Sequence, residues 1–461
     1  MIMTIPGILK LAFMRCIGLH TIILMAVLLT GCRKSDYMVD MVETIRDNGA
    51  GTGTATWKKD SDYLLEGLVF VNDGQTLTIE PGTVIRAKSG QGSAASALIV
   101  ARGGTILADG TAAEPIIFTS ENDDLEGSVP TQAKGLWGGV IILGTARLNN
   151  IYGENHVEGI PLSEARATYG GVSDDHDAGI LRYVSIRHAG TNIGEGNEIN
   201  GLTLGGVGSN TIIEHVEVIA NADDGFEFFG GSVNTKYLIS SFCSDDAFDY
   251  DEGFRGKNQF WVGIQDKQDG NLLLEANGGN YPENGRPLSS PLLYNLTLVG
   301  SGLENGRSQG MFSRNAAGWL VNSILLNQRH GISIEYRPGL EDSYQQFENG
   351  LLQLKSNVIF EVANNDSQEV FKVVTDNSAI NLEVQNASIQ EYFGKAGNKV
   401  EDPGLIYTGG IYRLVTSDYV FEGLAPYPDE WFDKVGYPGA FGTFNWASGW
   451  TLISQDGILL D

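Results

Sequence analysis

An eleven-residue phrase beginning at Asn221, NADDGFEFFGG, returns at Cys243 as CSDDAFDYDEG, a step of 22 residues (243 − 221), and so short a step leaves few folds open. Aligning the double aspartates sets Asp223 over Asp245 and Asp224 over Asp246. The same offset sets Phe226 over Phe248, Glu227 over Asp249, Phe228 over Tyr250 and Gly231 over Gly253. Apolar and acidic positions keep register together, as expected if each repeat is one coil of a solenoid. A propeller would need a period of about 40 residues or more. In a parallel β-helix each coil buries its inward residues against the coils above and below, with strands ~4.8 Å apart and no crossover helices.

The rest of the chain carries the same texture. From Tyr63 onward, short β-rich runs alternate with glycine or Asn/Asp turns: YLLEGLVFV, QTLTIEPGTVIRA, ALIVARGGTILADG, PIIFTS and WGGVIILGTARL. Helical periodicity is absent from them. Further coil starts are read at Leu181, Thr211, Thr235, Pro291 and Trp319. Two stretches break the pattern and read as loop or small helical insertions, near 150–179 and near 340–403. The aromatic, glycine-rich end from Tyr437 suits a C-terminal cap, because an open solenoid end exposes apolar surface and strand edges. The expected fold is all-β, a right-handed parallel β-helix over residues 59–461.

Glycine, 60 of 461 residues, supports a turn-dense fold, and no Gly-X-Y period suggests collagen. The 57 acidic residues against 30 Lys and Arg, with no basic stripe, exclude nucleic acid as the expected partner. Cations and neutral ligands suit this surface better.

Residues 1–31 read as a secretory signal, with Lys10 and Arg15 ahead of an apolar run from Ile22 to Leu29. Met14 would serve equally as the start. Leu29-Thr30-Gly31-Cys32 resembles the bacterial lipobox, which implies cleavage before Cys32 and its lipidation. Membrane attachment is stable when more than one acyl chain is present. Residues 32–58, with a Gly/Thr run, read as a flexible tether. Cys16 leaves with the signal and Cys243 remains as the one thiol besides the lipidated Cys32, so no disulfide is expected. The expected location is the cell envelope, as an outer-membrane lipoprotein facing the periplasm or the surface.

The phrases LTIEPGTVI, GTAAEPIIFTS, WGGVIILG, DDGFEFFGGSVNTKYL and the C-terminal GAFG, NW and GWT elements resemble the β-helix lipoproteins and secreted proteins common in Bacteroidetes, of the pectate-lyase-like type. The resemblance covers nearly all of the mature chain. It implies fold more than chemistry, since such helices serve lyases, hydrolases and adhesins.

The repeat also stacks like charges. At about 5 Å two unit charges repel by ~3 kcal/mol at an effective dielectric of 20, so Asp223/Asp245, Asp224/Asp246 and Glu227/Asp249, with Asp251 and Glu252 close by, call for protons, a basic partner or a metal. Hard oxygen donors favour Ca²⁺, and these eight residues are the candidate ligands. Equally open is a solvated turn face whose carboxylates accept backbone N–H groups. The leading expectation is a non-catalytic, Ca²⁺-binding lipoprotein that binds extracellular polysaccharide or another surface component, with no catalytic residues assigned. The alternative is an enzyme on acidic glycans, a lyase more than a hydrolase. Polygalacturonases of this fold class use aspartates on adjacent coils, but their Gly-His-Gly and Arg-Ile-Lys are missing here. A lyase base would come from Arg255, Lys257, Arg314, Arg329 or His330. His176, in Asp174-Asp175-His176-Asp177, is a weaker metal candidate. His188 and His215 sit on strand-like runs and read as packed side chains. Trp57, Trp137, Trp261, Trp319, Trp446 and Trp450 offer sugar-stacking faces but suit core and cap better.

Overall fold

The computed structural model describes residues 42–194, 197–416 and 419–461. The signal segment and Cys32 lie outside the described residues. Among the described residues, a ten-stranded sheet spans residues 68–374 and an eighteen-stranded sheet spans residues 43–400, and their strand pairs are parallel. Each coil gives one strand to the smaller sheet and either two short strands or one bent strand to the larger. The chain is therefore an all-β parallel β-helix.

The repeat read from sequence is the register of the smaller sheet. Strand Phe226–Phe229 pairs with Phe248–Asp251 so that Phe226 meets Phe248, Glu227 meets Asp249 and Phe228 meets Tyr250. Alternation sends the aromatic residues inward, where Phe226, Phe228, Phe248 and Tyr250 are fully buried. Phe226 and Phe248 stack with centroids 5.4 Å apart. Glu227 and Asp249 must then occupy the outer face.

In the larger sheet, strands Gly179–Arg187, Ile212–Ile219, Asn234–Ser241 and Lys257–Ile264 each bend at one residue. Tyr183, His215, Tyr237 and Phe260 supply these corners with left-handed backbone, at φ 48, 53, 60 and 62°. Such backbone is unfavourable for side chains of this size. Stacking offsets part of that cost: successive ring centroids along this row lie 4.3, 4.3 and 4.9 Å apart.

The aromatic C-terminal segment covers the solenoid along its flank. Tyr412, Leu414, Phe441, Ile453 and Leu459 bury the outward residues Ile219, Ile239, Phe260, Val262, Ile324 and Leu326. Trp446 and Trp450 meet the His215 ring edge-on. The last coil is closed instead by helix Glu383–Lys395, whose Ile389 and Phe393 join the central core.

Two boundaries, and the content of one insertion, differ from expectation. Residues 43–57, read as part of a tether, supply strands Glu43–Ile45 and Ala55–Trp57, which pair with Tyr63–Leu65 and Thr76–Ile79. The stretch 340–403 is only partly an insertion, since Leu352–Lys355, Val358–Val362 and Phe371–Val374 are solenoid strands between two helices. The insertion near 150–179 contains an antiparallel hairpin, Glu154–His156 with Thr168–Gly170.

Fully buried Glu217 fastens the C-terminal segment. Its carboxylate accepts the Leu452 and Ile453 N–H groups at 2.8 and 3.2 Å and the Ser185 hydroxyl at 2.5 Å. Glu217→Ala leaves buried donors unsatisfied at about 1–3 kcal/mol each. Limited proteolysis is expected to cut the variant first within residues 440–461, while the central coils stay protected; cleavage that begins in the coils would contradict this role.

A candidate cation site on the outer face

The outer face of the smaller sheet changes character along the solenoid. Phe70, Ile99 and Ile141 occupy one column in the early coils. That column continues through Thr203, Glu227, Asp249 and Glu275 to Met311, Ser333 and Lys372. Three consecutive rungs thus present carboxylates at one position. Glu275 was missed in the sequence because the next coil is longer. Its signal was the match of FDYDEG from Phe248 to LEANGG from Leu274, a step of 26 residues (274 − 248).

Outer-face carboxylates would ordinarily be solvated, yet Glu227 and Asp249 are only 7 and 8% exposed. The hairpin insertion and its neighbours close over them. Asn200 donates to Glu227 and also, at 3.3 Å, to Glu158 of the insertion. Tyr169 and Asn155, from the same insertion, donate to Glu252 at 2.8 and 2.7 Å.

The preceding turns add the double aspartates. Asp224 accepts the Asp246 N–H at 2.8 Å, and Asp246 accepts the Leu272 N–H at 2.5 Å, so each carboxylate holds the start of the next rung. Two groups of oxygens result, Asp223 with Asp224 and Asp245, and Asp224 with Glu227 and Asp249. Within each group, one ligand oxygen from every residue lies within 4.8 Å of the others. Asp224 belongs to both.

The other predicted ligands stand apart from these groups. Asp246 lies one rung on, engaged with Leu272. Asp251 accepts the Asn280 amide at 2.9 Å at the far end of its strand, next to Glu252. The eight acidic residues therefore lie along two consecutive rungs, and only five of them, Asp223, Asp224, Glu227, Asp245 and Asp249, gather around Asp224.

Burial, reinforced by neighbouring carboxylates, holds Asp224, Glu227, Asp246 and Asp249 well above the usual carboxylate range. Burial also lifts Asp251 to about 6 and Glu252 to about 7. Among the described residues no Lys or Arg forms an ion pair with Asp224, Glu227, Asp246 or Asp249. Asp249 Oδ1 is buried without a hydrogen-bond partner. A buried acceptor in that state is costly unless it is protonated or meets a cation. The donor set is all oxygen, so it fits Ca²⁺.

The remaining candidates are occupied elsewhere. Asp174 pairs with Arg147 and Arg255, leaving His176 in no ligand group among the described residues. Lys257 pairs with Asp429 at 2.5 Å. Arg329 and His330 line a separate cleft of about 370 Å³. Arg314 donates to Asn280 at 2.6 Å, beside the acidic face. His188 bonds the Ala133 carbonyl at 2.8 Å, and His215 lies between two tyrosine rings. Trp57, Trp137, Trp261 and Trp450 are buried in the body.

The family model for a pectate-lyase like beta helix domain matches residues 49–451. The chain belongs to that family. No curated protein and no solved structure matches it. A pectate-lyase-like β-helix fits a glycan-related role, and the match takes in both carboxylate groups and the insertion above them.

These raised carboxyls set a pH dependence. Each binds its proton more tightly in the folded chain than in the unfolded one. Its contribution to stability is therefore complete below the unfolded value of about 4 and is lost as pH rises through the folded value. For Asp251 and Glu252 the loss falls between about 4 and about 7. Without divalent cations, the melting temperature is expected to fall across this window; a temperature rising steadily from pH 4 to 7 would show that these groups are ionised without strain.

Proposed function

We propose that this β-helix is a non-catalytic, Ca²⁺-binding protein of the cell envelope, lipidated at Cys32, that holds acidic extracellular glycan through the bound ion. The observation that carries this reading is Asp224, shared by two carboxylate groups, beside a buried Asp249 oxygen that lacks a partner. Asp223, Asp224, Asp245, Glu227 and Asp249 would hold the ion. Ca²⁺ takes six to eight oxygens, and carboxylates or hydroxyls of a sugar chain would complete the shell.

Binding is favoured over catalysis by the placement of the cationic candidates. Arg255 and Lys257 are spent on Asp174 and Asp429, Arg329 and His330 sit at another cleft, and Arg314, the one candidate beside the acidic face, donates to the Asn280 side chain. Incubation with uronate polymers and Ca²⁺ is expected to give no absorbance from unsaturated chain ends. Such absorbance would establish a lyase instead.

Asp224→Asn separates the ion from mere packing. The amide oxygen can still accept the Asp246 N–H, while one charge leaves a crowded group. At pH 8 the metal-free variant is expected to melt higher than the native chain, and the Ca²⁺-induced rise in melting temperature is expected to vanish. A variant that keeps the Ca²⁺ response would overturn the assignment.

A further inference from the structure

We infer that Arg329 and His330, with Lys372, form a second contact for the same acidic glycan, which runs along the turn edge of the smaller sheet from the ion at Asp223 and Asp245 to a cationic cleft. This inference rests on the Ca²⁺-bridged reading above. The register fixes the path. The Asp245 and Asn271 N–H groups donate to the Asp223 and Asp245 carbonyls at 3.5 and 3.0 Å. Leu272 then pairs with Ser308, and Ser308 with His330. One column of the turn edge therefore reads Asp223, Asp245, Asn271, Arg307 and Arg329. Its charge reverses along the solenoid axis, and Arg329 stands roughly 14 Å from Asp245, at ~4.8 Å per rung.

The cleft suits an anion. Its volume is about 370 Å³, and Ser308, Arg329, His330, Ser333, Asn364 and Lys372 line it. Arg329 and His330 are exposed, and the Arg329 guanidinium forms no hydrogen bond or ion pair among the described residues. Glu369, the acid in the lining, is paired with Lys372 at 2.5 Å. Arg307, one rung back, is held by the Asp266 and Asp269 carbonyls at 2.7 and 2.5 Å and adds its charge to this end of the column. Positive charge thus gathers here in a chain whose formal net charge is -27.

Spacing and chemistry together select the occupant. Arg329 offers a planar fork that matches a carboxylate, and Ser308, Ser333 and Asn364 offer partners for the hydroxyls around it. A small free anion would satisfy this end alone. Asp245, at the other end, is exposed, so the coordination positions of its ion open onto the same edge. A chain that carries carboxylates at regular intervals reaches the ion with one group and Arg329 with another, and the second contact forms at high effective concentration once the first exists. A neutral glycan would leave Arg329 unpaired, and an apolar surface would desolvate it without compensation.

The test uses the folded chain with Ca²⁺ alone, then with sodium digalacturonate or hexagalacturonate at saturating Ca²⁺, binding being followed by calorimetry. The shorter sugar reaches the ion and stops short of the cleft, so the native chain is expected to bind the longer one about tenfold more tightly. In Arg329→Ala that advantage is expected to disappear. Its Ca²⁺ affinity, digalacturonate affinity and melting temperature are expected to match the native chain, since Arg329 is exposed. Arg329→Lys should keep part of the advantage. A length advantage that survives in Arg329→Ala would overturn the second contact. So would an equal loss for both sugars, which would mark a change of overall field, or galacturonate monomer binding as tightly as the hexamer, which would assign the cleft to a small free anion. Native protein that binds Ca²⁺ but neither sugar would remove the second contact and leave the ion site. Arg329-dependent hexagalacturonate binding that persists in EDTA would do the reverse, removing the ion bridge alone.

Discussion

Everything in this molecule depends on the parallel register between coils, because it fixes both faces of a strand at once. Phe226 lies on Phe248 and Phe228 on Tyr250 inside the solenoid, where close packing leaves no room for a one-residue slip. Slipping would carry the aromatic rings out and the carboxylates in. The aromatic stack therefore forces Glu227 onto Asp249 outside, whatever the electrostatic consequence. Core packing and charge crowding are two results of one alignment.

The turns ease part of this crowding and the insertion intensifies it. Asp224 and Asp246 spend one oxygen each on a backbone N–H of the following rung, so they act as structural acceptors even when charged. Glu227 and Asp249 have no comparable backbone role in the rung above. Left in water, they would repel weakly and be screened. Glu158, Asn200 and the hairpin exclude that water, and the buried pair becomes a place where positive charge is strongly favoured. The solenoid supplies the alignment of the carboxylates; the insertion supplies the low-dielectric setting.

The parts of the fold legible in sequence were those where coil length stayed constant. Two coils of equal length put Asp223 over Asp245 and Phe226 over Phe248 in plain view. One longer coil hid Glu275, although its Gly279 keeps step with Gly253. Glu158 had no signal at all, since it lies in a non-repeating insertion and reaches the ladder only through tertiary packing. Residues 43–57 misled for another reason. RDNGAGTGTATW has the composition of a tether, but Asp47 accepts the Gly49 and Gly51 N–H groups at 2.7 and 2.9 Å and pairs with Arg166 at 2.6 Å. One enclosed carboxylate turns a glycine-rich run into the first coil.

Arg166 belongs to the same insertion that carries Asn155, Glu158 and Tyr169, and this links the first coil to the acidic face. Through Arg166 the insertion clasps Asp47 of the first coil; through Asn155 and Tyr169 it holds Glu252 many coils later. A loop tied at both places cannot lift from the carboxylates without giving up contacts along the solenoid. The acidic site is consequently rigid on the side the insertion covers. Glu227 and Asp249 lie under Asn200 and Glu158, whereas Asp245 stays exposed at the turn edge. An ion held there would have fixed oxygens on the covered side and accessible coordination positions toward that edge, as needed for a site that bridges to a second molecule rather than one that only braces coils.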